Sequence, residues 1–129
     1  MFRMDLGSGE CGGHVVVALR GELDLVYAPA LATALGDLAA RRPRIIVDLA
    51  GLEFIDASGI AALARGRKHA RHAGGDLLLA APRRAVRRVL TIIWKPDGFA
   101  IYVSVAEAAA GADALPAAVA RALFMRTLP

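Results

Sequence analysis

The chain has 129 residues, a formal net charge of +4 at pH 7, 57% hydrophobic residues and one cysteine, Cys11. That length suits one compact domain and excludes a multidomain assembly, and so apolar a composition excludes a mainly disordered chain. A lone cysteine forms no intrachain disulfide, no signal-peptide pattern opens at Met1, and no apolar run reaches the roughly 18–20 residues of a membrane span. A cytoplasmic protein without membrane insertion is expected.

Phe2–Leu6 alternates apolar and polar residues, and His14–Arg20 is a β-branched run closed by Gly21. The glycine-rich stretch 7–13 between them reads as a loop, which makes the pair an edge hairpin. Pro29 suits a first helical turn, and Leu31, Leu35 and Leu38 form one apolar stripe before Arg41-Arg42-Pro43 stops the helix. Ile45–Leu49 reads as a buried central strand, with a loop expected over 50–56. From Ser58 the spacing becomes helical: Leu63, Gly66, Ala70 and Ala73 share one face and Arg65, Lys68 and His72 another, up to Gly74-Gly75. Leu77–Ala80 is a third buried strand, and Pro82 is expected to open a helix that turns Val86, Val89, Leu90 and Ile93 inward.

Lys95-Pro96-Asp97-Gly98 signals a turn, Phe99–Val103 a last strand, and Ser104-Val105-Ala106-Glu107 a capping box for a helix ended by Gly111. Leu115, Val119, Ala122 and Leu123 then recur at helical spacing. Strands alternating with helices predict an α/β domain over residues 1–111, a small mixed sheet with parallel central strands, an edge hairpin and about four flanking helices. Residues 112–129 are expected to form a helical C-terminal extension.

Eight of the 16 basic residues fall between Arg65 and Arg88, against one acid, Asp76. Arg65, Lys68, Arg84, Arg87 and Arg88 therefore form a candidate basic surface for an acidic partner, with an ordinary solvated helix face as the plain alternative. Direct nucleic-acid binding is not expected, because no DNA-reading motif and few aromatics are present. Neither is catalysis. Ser58 lacks the glycine two residues earlier that a nucleophile elbow needs, and His69 and His72 have no third ligand nearby. No glycine pattern suits a phosphate-bearing cofactor. No metal or cofactor is expected.

The segment from Asp48 to Ile60 delivers an aspartate and a serine to a helix start directly after a central strand, where free N–H groups attract anions. Asp56 or Ser58 equally suits a plain N-cap there. Gly21-Glu22-Leu23-Asp24, Val47-Asp48-Leu49-Ala50-Gly51-Leu52-Glu53-Phe54-Ile55-Asp56-Ala57-Ser58-Gly59, Gly74-Gly75-Asp76-Leu77 and Val105-Ala106-Glu107-Ala108 together resemble the STAS domain of bacterial anti-sigma factor antagonists. The likeness spans about residues 14–110.

That resemblance implies a small protein that binds an anti-sigma factor, often a serine kinase of the histidine-kinase ATPase fold, and so frees a sigma factor for transcription. It implies that Asp24, Asp56, Ala57, Ser58 and Gly59 lie at the partner surface, although Asp24 equally suits a turn residue. The family's switch is phosphorylation of the Ser or Thr directly after the aspartate, a position held here by Ala57; only Ser58 retains a hydroxyl nearby. Either Ser58 is the acceptor or the protein is unswitched. The fold is equally compatible with an accessory subunit of a transport or sensory complex, and with a weak homodimer.

Overall fold

The computed structural model describes residues 1–93 and 99–111. Five strands lie side by side in chain order. β1 (Phe2–Cys11) pairs antiparallel with β2 (His14–Leu23). β2 is followed by β3 (Arg44–Ile55), β4 (Asp76–Ala80) and β5 (Ile101–Tyr102), each parallel to its neighbour. Parallel neighbours require crossovers, which are α1 (Ala28–Arg41), α2 (Ala57–His72) and α3 (Arg84–Ile92). Successive right-handed crossovers moving in one direction place their helices on one face of the sheet. Accordingly Leu31, Leu35, Leu63, Ala70, Val86 and Leu90 share one core with Val17, Leu19, Val47, Leu49, Leu77 and Leu79. α4 (Val105–Ala110) covers the opposite face, where Ala108 joins Ile46, Leu78 and Ala80. The uninterrupted apolar run of β4 thus serves two cores, with Leu77 and Leu79 on one side and Leu78 and Ala80 on the other.

The expected α/β architecture with an edge hairpin is present, but several boundaries move. Residues 7–13 are not a loop: β1 runs to Cys11 with its register broken between Asp5 and Gly9, and only Gly12-Gly13 turns. Both glycines have positive φ, +57° and +82°, as a two-residue hairpin turn of matching twist requires. Residues 50–55 are strand as well. Beyond Asp48 they pair with β2 alone, and Leu49, Leu52 and Ile55 are all buried. α3 begins at Arg84 rather than at Pro82, after Ala81 takes φ +57°. Ala73 is an exposed C-cap instead of a member of the buried stripe. The last strand is shorter than read, and the expected turn at 95–98 and extension at 112–129 lie outside the described residues. No helix among the described residues is long and apolar enough to cross a membrane.

Small residues let α2 approach closely. A Cβ on Gly66 would stand 2.8 Å from Leu35 Cδ1 and 3.0 Å from Leu35 Cβ, so glycine there sets the distance between α1 and α2.

Candidate functional site at the ends of β2 and β3

Register brings the two sequence-selected aspartates together. Leu23 and Ile55 are neighbours across the β2–β3 pair, and the next residues along the two strands are Asp24 and Asp56. The Asp56 N–H still donates to the Leu23 carbonyl at 3.3 Å. The chains then diverge into α1 and α2, leaving both carboxylates at one end of the sheet.

Each aspartate has a local role that uses only one of its oxygens. Asp24 Oδ1 accepts from the Val26 N–H at 3.0 Å, and the Asp24 carbonyl accepts from Tyr27 and Ala28, which turns the chain into α1. Asp56 is the N-cap of α2, with Oδ1 accepting from the Gly59 N–H at 3.0 Å. Neither Oδ2 has a hydrogen-bond partner among the described residues, and neither carboxylate forms an ion pair there. Asp24→Asn keeps a turn-forming oxygen and should leave the thermal midpoint within a degree or two, whereas Asp56→Ala removes a cap and should cost about 1 kcal/mol in urea unfolding. A comparable loss for both would mean that the Asp24 charge itself is structural.

Gly59 seats the start of α2. A Cβ there would meet Ile55 Cγ1 and Leu23 Cγ, each at 2.8 Å, so only glycine lets the first turn rest on the two strand ends. Ala57 is exposed at the first helical position, and Ser58 is half-buried with no hydrogen bond to its hydroxyl among the described residues. Leu25 and Val26, absent from the sequence-derived site, stand beside Asp24 at 71% and 76% exposure. Their signal was available: two branched apolar residues between Asp24 and Pro29 that belong to neither the strand alternation nor the α1 stripe.

The basic residues are distributed differently. Arg65 and Lys68 are exposed on α2, Arg84 and Arg88 on α3, and Arg87 is half-buried. Arg67 and Arg83 have structural partners: Arg67 Nε reaches Asp76 at 3.1 Å, while Arg83 Nε donates to the Ala50 carbonyl at 2.8 Å and Arg83 Nη1 lies 3.9 Å from Glu53 Oε1. The start of α3 is thus pinned near Ala50, roughly 20 Å before Asp56 at ~3.3 Å per strand residue. The His69 ring lies against Gly36, and among the described residues no cluster of His, Cys, Asp and Glu could hold a metal.

The ends of β2 and β3 thus carry two half-used carboxylates and two exposed aliphatics on a five-stranded sheet. The model of the STAS domain family matches residues 9–108, and the chain belongs to that family. A curated relative, the anti-sigma-F factor antagonist RsfB of Mycobacterium tuberculosis, is 38% identical over 53 residues, or 40% of this chain. The chain matches 43% of that relative's length, less than half of it. The crystal structure of an anti-sigma factor antagonist from Mycobacterium paratuberculosis superimposes with a TM-score of 0.72 at 27% identity, covering 87% of this chain and 93% of that one. An anti-sigma-factor antagonist (STAS) domain protein from Planctomyces limnophilus shares the fold, with a TM-score of 0.70 at 20% identity over 83% of this chain and 94% of that one.

Proposed function

We propose that the protein is a cytoplasmic anti-sigma factor antagonist that regulates transcription by binding an anti-sigma factor of the kinase type, and that it catalyses no reaction itself. One observation carries this reading. The Leu23–Ile55 pairing sets Asp24 and Asp56, each with an unused oxygen, beside the exposed pair Leu25 and Val26. Desolvating two aliphatic side chains inside a rim of charges is how a protein interface gains both affinity and register. The names of the relatives support the same partner class. Arg65, Lys68, Arg84, Arg87 and Arg88 contribute a positive field that steers an acidic partner, and their effect falls on the association rate at low salt.

The exposed first position of α2, where the resemblance puts the phosphoacceptor, carries the methyl of Ala57. Ser58 follows about 100° further round the helix and is half-buried, which disfavours it as a substitute. The reading is therefore an antagonist without the phosphorylation switch. Incubated with ATP and a kinase-type anti-sigma factor from the same genome, the wild type should keep its intact mass, and Ala57→Ser should gain one phosphate. A phosphate mapped to Ser58 of the wild type overturns the unswitched reading. Capture of transporter subunits in place of an anti-sigma factor overturns the function.

A further inference from the structure

We infer that the outer face of the β1–β2–β3 sheet carries a second site, an oxyanion pocket built on Arg3 and Arg20 that takes a small phosphate monoester. Arg3 on β1 and Arg20 on β2 are direct register partners, so their side chains leave the same face of the sheet. Both line one open groove of about 330 Å³, with Met1, Gly21, Glu22 and Glu53 completing its lining. Phe2, Met4 and Leu19 turn toward the main core, which leaves the arginines on the opposite face. That is the face on which α4 packs, but α4 sits over Ile46, Leu78 and Ala80, away from this end.

Like charges directly opposite on paired strands are destabilising unless something offsets them. Here the opposite charges on the same wall are the carboxylates of Glu22 and Glu53. Neither guanidinium has a hydrogen bond or ion pair among the described residues, and both acids also face other cations: Glu22 lies 3.7 Å from the Met1 ammonium and Glu53 lies 3.9 Å from Arg83. The backbone is also shaped around this pair. The β2–β3 register shifts between Ala18 and Arg20 and again between Gly21 and Glu22, so two irregularities bracket the residues that line the groove. Such bulges re-aim side chains. Gly51 makes room for the result, because a Cβ there would stand 2.8 Å from Arg20 Cγ.

Two guanidinium forks facing one groove present a geometry for a tetrahedral dianion, which can accept a bidentate pair from each and offset both charges. A carboxylate offsets only one. Glu22 and Glu53 add acceptors for hydroxyl donors on the remainder of the ligand. Glu22 lies two residues before Asp24 and Glu53 three before Asp56, so this site adjoins the aspartate pair, and its test uses the free protein.

The test is an NMR titration of the full chain with inorganic phosphate, a hexose phosphate monoester and acetate, following the arginine Nε–H signals and the amides of Gly21 and Gly51. Saturable shifts confined to these groups are expected, strongest for the hexose phosphate. Arg20→Gln should weaken binding about tenfold or more, Arg20→Lys less, and Arg71→Gln, an exposed position on α2, not at all. Unperturbed amides far from the groove show that each variant is folded. Shifts that do not saturate, an equal loss with Arg71→Gln, or acetate binding as tightly as the phosphate monoester would each overturn the proposal.

Discussion

Truncating Leu35 to alanine should lower the unfolding free energy by about 3–4 kcal/mol, within the usual range for a large-to-small change in a fully packed core. Leu35 has no solvent exposure and lies where α1 meets α2. Its Cδ1 is 2.8 Å from the position a Gly66 Cβ would occupy. The two sites should therefore be coupled. In the wild type, Gly66→Ala overpacks the contact and should cost about 1–2 kcal/mol despite alanine's better helix propensity. In the Leu35→Ala background the remaining close contacts, Leu35 Cβ at 3.0 Å and Leu77 Cδ1 at 3.2 Å, ask for only small adjustments, and Gly66→Ala should lose most of its cost. Urea unfolding of the four proteins gives the coupling directly. Additive effects would mean that the distance between α1 and α2 is not set by this pair.

The second large effect concerns binding. Val26→Asp should weaken the proposed complex with an anti-sigma factor about 100-fold, or ~2–3 kcal/mol, while leaving the thermal midpoint unchanged. Val26 is 76% exposed, so the free protein loses little packing. In a complex, the new carboxylate would be desolvated next to Asp24 without a designated partner. The backbone N–H of Val26 still donates to Asp24 Oδ1 whatever its side chain, which preserves the turn. Calorimetric titration reads the loss, and an unchanged affinity would remove the β2–α1 loop from the interface.

Much of the fold was legible because hydrophobic period and burial agree. Leu31, Leu35 and Leu38 repeat every three or four residues and are buried, and the apolar runs at 45–49 and 77–80 are covered on both faces. The misread stretches share a cause, the assumption that glycine and polar residues end a strand. Gly7 and Gly9 lie in an edge strand whose register break absorbs them, while Gly51 sits opposite the Arg20 stem inside β3. In both places tertiary pairing overrides local propensity.

The site was legible as a motif and not as a geometry. Sequence selected Asp24 and Asp56 separately, but only the Leu23–Ile55 register shows that they end adjacent strands. Whether Asp56 or Ser58 caps α2 was equally open in the sequence, and the Oδ1 bond to the Gly59 N–H decides for Asp56. Leu25 and Val26 escaped notice because exposure is a property of the folded loop, and two aliphatic residues look like core material on paper. The arginines between 65 and 88 looked like one cluster because they are close in sequence; folding divides them between two helices and gives Arg67 and Arg83 local partners.

Affinity capture from lysate of the source cell, with wild-type protein and Val26→Asp compared side by side and the captured proteins identified by mass spectrometry, tests the central claim most directly. The account predicts that the wild type retains an anti-sigma factor of the ATPase-kinase fold and that Val26→Asp does not. Retention of that factor by both proteins would contradict the assigned surface, and recovery of transporter subunits by the wild type would contradict the function.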